Sequence, residues 1–175
     1  MIYENEAVQD YEIEYFNKVG EWAKDRNLIE GSNPEKQFFK TLSELLELIN
    51  AVDKDQEVDG YGDAWVTLVV GMHQFGFDYK ETASLTEKPP IQNLHTLKVV
   101  CALGEAISSC KIGMQAKKQT YCDAINMLKV FSEASGIAFK DCLEKAWDEI
   151  KDRKGKMING MFVKESDLPD NEKAR

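Results

Sequence analysis

Positive charge is scarce in this sequence. Its 175 residues include 22 lysines and arginines against 31 aspartates and glutamates, which gives a formal net charge of −9 at pH 7. A chain with this balance repels phosphate backbones, and it has no basic stripe long enough to offset the repulsion. Nucleic-acid binding is therefore not expected as its main task.

Long apolar runs are absent as well. The longest, around residues 64–72, is far too short to span a bilayer. No basic-then-apolar signal opens the chain. These absences predict a cytoplasmic protein that has no membrane partner.

Cysteine and histidine are few and poorly spaced for metal chemistry. The cysteines have no C-x-x-C spacing and lie in helix-like apolar patterns, so we predict free thiols rather than disulfides or a zinc site. They are Cys101, Cys110, Cys122 and Cys142. His73 and His95 are isolated, which favours a core or surface role for each over catalysis.

Helical periodicity is what the sequence does have. Hydrophobic residues make up 43% of the chain and charged residues 30%, as in a globular protein. Apolar residues recur at helical spacing while β-branched alternation is scarce, so we predict one all-α helical bundle over residues 1–175. Helices are expected near residues 9–25, 34–53, 59–74, 92–113, 118–135 and 139–154, with a short helix or turn near 78–88 and a boundary at 89–90. The tail, residues 155–175, should form a short extended segment or hairpin with its turn at 159–160, and then fray.

The second predicted helix has two different faces. Asn33 is a good N-cap for it, and Pro34 is a good first residue. One face is an apolar stripe formed by Phe38, Leu42, Leu45, Leu46, Ile49 and Val52. At about 100° per residue, the opposite face carries Gln37, Lys40, Glu44 and Glu47. Taken alone, that polar face is typical of a solvated surface.

Four acids in residues 37–70 favour a different interpretation. Glu44 and Glu47 are one helical turn apart, and Asp59 and Asp63 follow after a short polar break. Asp63 opens a run, AWVTLVVGM, that is apolar nearly all the way round, so its helix should be buried. An acid in the first turn of a buried helix is costly without a partner. The cation that suits converging carboxylates is Mg²⁺ or Mn²⁺, which predicts a metal site formed by these four residues.

The sequence also contains a repeat at an offset of 60 residues. Seven residues recur: Tyr61, Asp63, Ala64, Leu68, Val70, Gly76 and Lys80 match Tyr121, Asp123, Ala124, Leu128, Val130, Gly136 and Lys140. Just before them, LSELLE at 42–47 parallels LGEAIS at 103–108, where Ser108 replaces the second glutamate. We predict two helix-pair units, residues 34–88 and 92–154, which stack as a pseudo-dimer. Because the second unit has lost carboxylates, the first should carry the chemistry.

Residues 37–70 resemble the core of a known family, the all-α nucleoside triphosphate pyrophosphohydrolases. Within it they look most like the phage-encoded branch of the MazG-like group, which is related to dimeric dUTPases and dCTP pyrophosphatases. The family pattern is EExxE, a spacer and ExxD, and the matching segments here are SELLE at 43–47 and DGYGD at 59–63. Ser43 and Gly60 depart from it, so Asp59 is the candidate substitute for the glutamate expected at position 60. Lys40 matches a lysine one turn before the glutamates, and residues 146–168 resemble the family's tail, so the likeness spans about 22–168.

The resemblance implies a Mg²⁺- or Mn²⁺-dependent enzyme that converts a (deoxy)nucleoside triphosphate to the monophosphate and pyrophosphate. Water would attack the α-phosphorus, with Glu44 or Glu47 as general base. The candidates for holding pyrophosphate are the cations Lys40, Arg153, Lys154, Lys156 and Lys164. The candidates for holding the base, near the first break, are Trp22, Asn33 and Gln37. Each also has an ordinary interpretation, as a basic helix end, a core aromatic or a cap.

Two other functions stay open. A non-catalytic helical interaction or regulatory protein with the same fold would carry these acids as surface charge. A metal-dependent phosphohydrolase could instead act on a modified nucleotide or an alarmone. Helical units of this type usually associate, so a homo-oligomer, dimer or tetramer, is expected, although the internal repeat could meet that need within one chain. The expected location is the cytoplasm, and the host cytoplasm for a phage-encoded chain.

Overall fold

The computed structural model describes residues 8–83 and 113–169. This part of the chain is mostly helical, as predicted, and its only sheet has two strands. The helices are α1 (Asp10–Asp25), α2 (Pro34–Ile49), α3 (Lys54–Phe75), α4 (Tyr79–Ala83), α5 (Met114–Ala134) and α6 (Phe139–Ile150). The strands β1 (Gly155–Ile158) and β2 (Met161–Lys164) form an antiparallel hairpin, and a 3₁₀ turn follows at Glu165–Asp167.

Several predictions concern residues outside those ranges. They are the helix at 92–113, the boundary at 89–90, the repeat segment at 103–108, His95, Cys101 and Cys110. The other two cysteines, Cys122 and Cys142, are free and buried, as predicted. Burial raises the pKa of the Cys142 thiol to about 12, so this thiol is unreactive at neutral pH.

Helix α1 packs one face into the core. It begins with a capping box between Gln9 and Glu12, and its buried stripe includes Val19 and Trp22, as predicted. Glu12 is itself buried and forms an ion pair with Lys129 of α5, with 2.7 Å between the carboxylate oxygen and the ammonium nitrogen. The α1 backbone also holds His73 of α3, whose Nε2 lies 3.1 Å from the carbonyl oxygen of Phe16, in keeping with the core role predicted for this histidine.

Local capping decides where α2 ends and α3 begins. Asn33 caps α2 by accepting the backbone N–H of Lys36 at 3.0 Å, as predicted. The prediction that α2 runs to residue 53 was wrong, because Asp53 caps α3 by accepting the N–H of Gln56 at 2.9 Å. Since α3 already begins at Lys54, Asp63 lies well inside the helix rather than in its first turn.

Helix α3 is the central helix of the described fold. It contacts α1, α2, α5 and α6, and its residues from Gly60 to Met72 are buried almost without interruption. It lies close to α2 at Gly60, where a Cβ atom would come within 2.9 Å of the Cα atom of Leu48. A side chain at position 60 would therefore push α2 away from α3, which explains the glycine there.

The apolar stripe of α2 is largely exposed rather than buried. Leu46, Ile49 and Val52 of that stripe are 50%, 56% and 84% exposed. The buried residues of α2 are instead Leu45 and three polar ones, Gln37, Thr41 and Glu44. The reason is that α3 presents polar groups toward α2, and the polar line of α2 meets them.

Helices α3 and α5 end in the same way. Gly76 and Gly136 both have φ near +70°, a conformation that glycine adopts without strain. After each glycine, the N–H of the next residue, Phe77 or Ile137, donates back to a carbonyl of the last helical turn at 2.9 Å. These matching ends agree with the proposed repeat, but the first helix of its second unit lies outside the described residues, so the two-unit organisation stays a prediction.

The C-terminal part is more ordered than the predicted frayed end. Helix α6 stops at Ile150, four residues earlier than predicted, and leads into the hairpin. Its turn, Asn159–Gly160, has φ of 52° and 77°, as the Asn-Gly pair predicts. Beyond the 3₁₀ turn, Leu168 is only 3% exposed, so the chain stays packed up to that residue. Across residues 8–83 and 113–169, no helix has the length and apolar character needed to cross a membrane.

Candidate functional site

A cavity of about 390 Å³ lies between α2, α3 and the C-terminal hairpin. Its lining combines apolar and charged side chains. The charged ones are Lys36, Lys40, Glu44, Asp63, Arg153, Lys164 and Asp167. Acids and bases thus share one small space, as a ligand with anionic groups and an attached cation would require.

Glu44 is the buried acid of α2. It is 5% exposed, and its Oε1 lies 2.6 Å from the Nζ of Lys40, one turn earlier on the same helix. A buried carboxylate needs a compensating cation, and Lys40 supplies it while keeping its own side chain half exposed. The pair presents both charges to the cavity.

Gln37 and Thr41 connect the polar line of α2 to its neighbours. The Nε2 of Gln37 donates to the carbonyl oxygen of Thr67 on α3 at 3.1 Å, and the hydroxyl of Thr41 donates to the carbonyl of Gln37 at 3.1 Å. The alternative of a solvated polar face therefore fails for Gln37 and Glu44, which are buried. It holds for Glu47, which is exposed.

Beside the cavity, three carboxylates converge. Asp59, Asp63 and Glu149 each place an oxygen atom within 4.8 Å of the other two. The Oδ1 of Asp59 is buried and receives no hydrogen bond from any described residue, and the nearest cation, the Nζ of Lys145, lies 3.8 Å away. Lys145 is also closer to Asp55, at 3.0 Å, so it only partly balances the cluster.

Asp63 joins the carboxylate cluster to the cavity. Burial, followed by the charges of Glu44 and Asp59, raises the pKa of Asp63 to about 7, and the charge of Arg153 opposes the shift. Burial and then the charge of Asp59 also raise the pKa of Glu149. Without a cation, Asp63 therefore binds a proton near neutral pH, and a divalent cation would replace that proton.

The family pattern predicts an acid at position 60. The acid present here, Asp59, comes one residue earlier and lies on a different side of α3. One residue turns a side chain by about 100° around α3. Position 60 faces α2 at Leu48, whereas Asp59 meets Glu149 and Lys145 of α6. The cluster is therefore built between α3 and α6, with Asp63 as its link to α2.

The aromatic part of the cavity includes an unused donor. Trp22 of α1 is 7% exposed, and its Nε1 has no hydrogen-bond partner among the described residues. Its ring lies edge-on to Phe162 of β2, with 6.0 Å between ring centroids, and the guanidinium of Arg26 lies 4.9 Å from the ring centroid. An acceptor on a bound ligand could satisfy this indole.

Most of the residues predicted for the site line the cavity, and the others lie outside it. Trp22, Gln37, Lys40, Glu44, Asp63, Arg153 and also Lys164 line the cavity. Asp59 lies behind it in the carboxylate cluster, and Asn33 is committed to capping α2. Glu47 and Lys154 are exposed outside the cavity lining, and Lys156 lies half-buried on β1, also outside it.

Sequence reasoning missed Glu149 and Lys36. Glu149 lies one turn before Arg153, with 4.0 Å between the carboxylate and the guanidinium. The two side chains therefore point to the same side at the C-terminal end of α6. Because Arg153 was already a candidate site residue, this spacing could have identified Glu149 as well. Lys36 lies one turn before Lys40 on α2, so helical spacing could also have placed it at the cavity.

Comparisons with known proteins add a partial match to a phage protein. No protein-family model matches the chain, and no solved structure matches it. A segment of 55 residues, 30% of the chain, is 42% identical to the "Uncharacterized 18.2 kDa protein in rep-hol intergenic region" of Haemophilus phage HP1 (strain HP1c1). That segment spans about a third (34%) of the phage protein. The expected likeness to a phage protein is thus present, without an activity attached to it.

Proposed function

We propose that this protein hydrolyses (deoxy)nucleoside triphosphates to the monophosphate and pyrophosphate, as an all-α pyrophosphohydrolase of the MazG-like type. The observation that carries the proposal is the position of Asp63, which lines a cavity that also contains Glu44, Lys40 and Arg153 and is part of the carboxylate cluster. A triphosphate needs cationic side chains for its oxygens and a divalent cation for its remaining charge. This cavity supplies the former and borders a candidate site for the latter.

The residues fit Mg²⁺ or Mn²⁺. Both are hard cations that prefer carboxylate oxygens. Asp59, Asp63 and Glu149 would hold the ion, and the buried oxygen of Asp59 that accepts no hydrogen bond would gain a partner. Glu44 would act on the cavity side, and exposed Glu47 is the least supported of the predicted ligands. When bound, the cation stabilises negative charge on the phosphate oxygens.

Glu44 is our candidate general base. It is buried in the cavity wall, whereas Glu47, the other candidate, is exposed. Its carboxylate would take a proton from the attacking water, whose oxygen forms the new bond to the α-phosphorus. The bond from that phosphorus to the bridging oxygen breaks, and pyrophosphate leaves with the electron pair. Lys40, whose Nζ lies 2.6 Å from Glu44, would hold that carboxylate in place before the attack.

The other end of the substrate would face the aromatic part of the cavity. Arg153 and Lys164, which line the cavity, would bind the leaving pyrophosphate, and Trp22 would stack on the base or donate its indole N–H to it. Gln37 would support α3 through Thr67 rather than bind the base with its Nε2, which is already used.

Association into a homo-oligomer is part of the proposal. Leu46 and Ile49 form an exposed apolar stripe on α2 that continues to Val52 beyond the end of the helix, and Phe39 of α2 is also 59% exposed. Exposed stripes of this kind are a common mark of protein contacts. Light scattering of the purified protein would give a dimer or tetramer mass, and Ile49→Lys would lower it.

The deciding experiment is incubation with each (d)NTP and Mg²⁺ or Mn²⁺, followed by chromatography of the products. We expect monophosphate and pyrophosphate in equal amounts. Glu44→Gln should abolish the turnover, and Glu47→Gln should retain most of it because that residue is exposed. Absence of hydrolysis with every nucleotide would favour the non-catalytic alternative, and turnover of only a modified nucleotide or an alarmone would favour the second one.

A further inference from the structure

The C-terminal hairpin is a thin wall for a binding cavity. Its strands pair over four residues each, from Gly155 with Lys164 to Ile158 with Met161. An isolated two-stranded hairpin of this size is at best marginally stable in water. Yet its second half, residues 160–164, lines the cavity directly. Its position must therefore be set by contacts with the helices.

Two cationic side chains make polar contacts with the hairpin, one at each of its ends. At its base, the Nε of Arg26 donates to the carbonyl of Arg153 at 2.8 Å, and its Nη2 donates to the carbonyl of Lys151 at 3.3 Å. At its tip, the Nζ of Lys36 on α2 donates to the carbonyl of Asn159 at 2.6 Å. The base is thus tied to α1 and the tip to α2.

Gly160 is shaped by the contact at the tip. Its φ is +77°, which disfavours any other residue, and a Cβ atom at this position would collide with the Nζ of Lys36. The ammonium group therefore occupies the space where a side chain would be. Because of this, the contact can be broken from the hairpin side while Lys36 itself is kept.

We propose that Lys36 is a positioning residue of this site: through the carbonyl of Asn159 it latches the hairpin tip to α2 and thereby sets the affinity of the cavity for a phosphate-bearing ligand. The latch places Phe162 against Trp22 and keeps Lys164 at the cavity. Only the kind of ligand rests on the proposed function, since the latch itself is a contact between α2 and the hairpin.

Hydrogen exchange of the hairpin amides tests the latch without reference to activity. Lys36→Met should speed exchange in residues 155–164 by about tenfold, as expected for the loss of one charged hydrogen bond. Lys36→Arg should restore slow exchange. Gly160→Ala should speed it as well, whereas Gly76→Ala should not, because Gly76 has the same left-handed backbone with nothing nearby. Unchanged exchange in Lys36→Met and Gly160→Ala would overturn the latch.

Ligand binding tests the second half of the proposal. With inorganic pyrophosphate and Mg²⁺ in a calorimeter, Lys36→Met and Gly160→Ala should both bind about tenfold more weakly, and in turnover assays both should raise KM with kcat within about twofold. Gly76→Ala should match the wild type. If only Lys36→Met weakened binding, Lys36 would be a direct phosphate contact and the latch would not control affinity.

The two proposals fail in different ways. If no nucleoside triphosphate is hydrolysed and no pyrophosphate binds, the proposed function is wrong, and the claim that the latch controls phosphate affinity falls with it. The exchange data then still decide whether Lys36 holds the hairpin. If hydrolysis is found but the hairpin exchanges equally in Lys36→Met and the wild type, the latch is wrong and the enzyme stands.

Discussion

Asp63 and Asp123 lie at matching places on two helices that end alike, and their surroundings differ completely. Asp63 of α3 is beside two other carboxylates, and its pKa is raised to about 7. Asp123 of α5 accepts a hydrogen bond from the Nε2 of Gln119 at 2.8 Å. Burial raises the pKa of Asp123 too, but the Gln119 amide opposes that shift.

The difference shows how strongly the surroundings of a helix decide the pKa of an acid on it. Burial raises the pKa of Asp63 most, followed by the charges of Glu44 on α2 and Asp59 on α3 itself. A second contrast follows the same rule: Val69 of α3 is fully buried, whereas Lys129, at the matching place on α5, is paired with Glu12. In α5 these polar groups have partners of opposite charge or a hydrogen-bond donor, whereas Asp63 of α3 lies among other carboxylates.

The largest contrast should be in turnover. Asp63→Asn should reduce kcat/KM for the preferred triphosphate about a thousandfold or more, as expected for a group at the reacting centre. Asp123→Asn should change it less than about twofold, because Asp123 is hydrogen-bonded to Gln119 and does not line the cavity. Steady-state assays of both variants measure the contrast, with circular dichroism to verify folding. Equal losses in the two variants would contradict the assignment.

For stability we expect the opposite contrast: a substitution in α5 should cost more free energy than one at the matching position in α3. Lys129→Met should lower the free energy of unfolding by about 3–5 kcal/mol, because it leaves the buried carboxylate of Glu12 without this cation. Val69→Ala should cost less, about 1–3 kcal/mol, as the loss of a buried aliphatic group. Urea denaturation gives both values. A double variant, Glu12→Gln with Lys129→Met, should recover part of the loss, and no recovery would argue against the ion pair.

Metal binding should separate the two aspartates by a smaller amount. Mn²⁺ at a hundred times its dissociation constant stabilises a protein by about 2.7 kcal/mol if it binds only the folded state. We expect that gain in the wild type and in Asp123→Asn, and little of it in Asp63→Asn and Glu149→Gln. Thermal melting with and without Mn²⁺ is the measurement. A full gain in Glu149→Gln would remove Glu149 from the site.

The smallest effect should be on the pH dependence of stability in the presence of a chelator. The pKa of Asp63 is about 7 in the folded protein against an ordinary value of 3.8. Between those values the folded state holds more protons than the unfolded state, so the free energy of unfolding should fall as pH rises from about 4 to about 7. After allowance for solvent screening we expect roughly 1–2 kcal/mol. Asp63→Asn should flatten the profile, and Asp123→Asn should leave most of the slope; the reverse would contradict the prediction.

Features set by neighbouring residues were predictable from the sequence. The Asn33 cap, the Pro34 start and the Asn159–Gly160 turn all appear where the residue types predict them. Each depends on a contact within three or four residues, so the sequence contains the whole cause. The meeting of Gln37 and Glu44 with α3 was also predictable, because an acid on a buried helix requires a polar neighbour.

Features that depend on distant contacts were not. The stripe ending in Val52 has the spacing of a buried face, but burial depends on which side of α2 the rest of the chain covers. Glu149 is far along the chain from Asp59 and Asp63, and no spacing links it to them. The spacing of Lys36 from Lys40 could place it at the cavity, but nothing nearby in the sequence indicates its contact with the distant carbonyl of Asn159.

The close contact of Gly60 with Leu48 has a consequence for how relatives of this chain can be recognised. A glutamate at position 60 would require α2 and α3 to lie further apart than they do here. Chains with the present spacing should carry Asp-Gly there, together with an acid one turn before an arginine near the end of α6. A search for Asp-Gly, the acid and the arginine together would find proteins with this helix spacing. The glycine would be the most discriminating residue of the pattern.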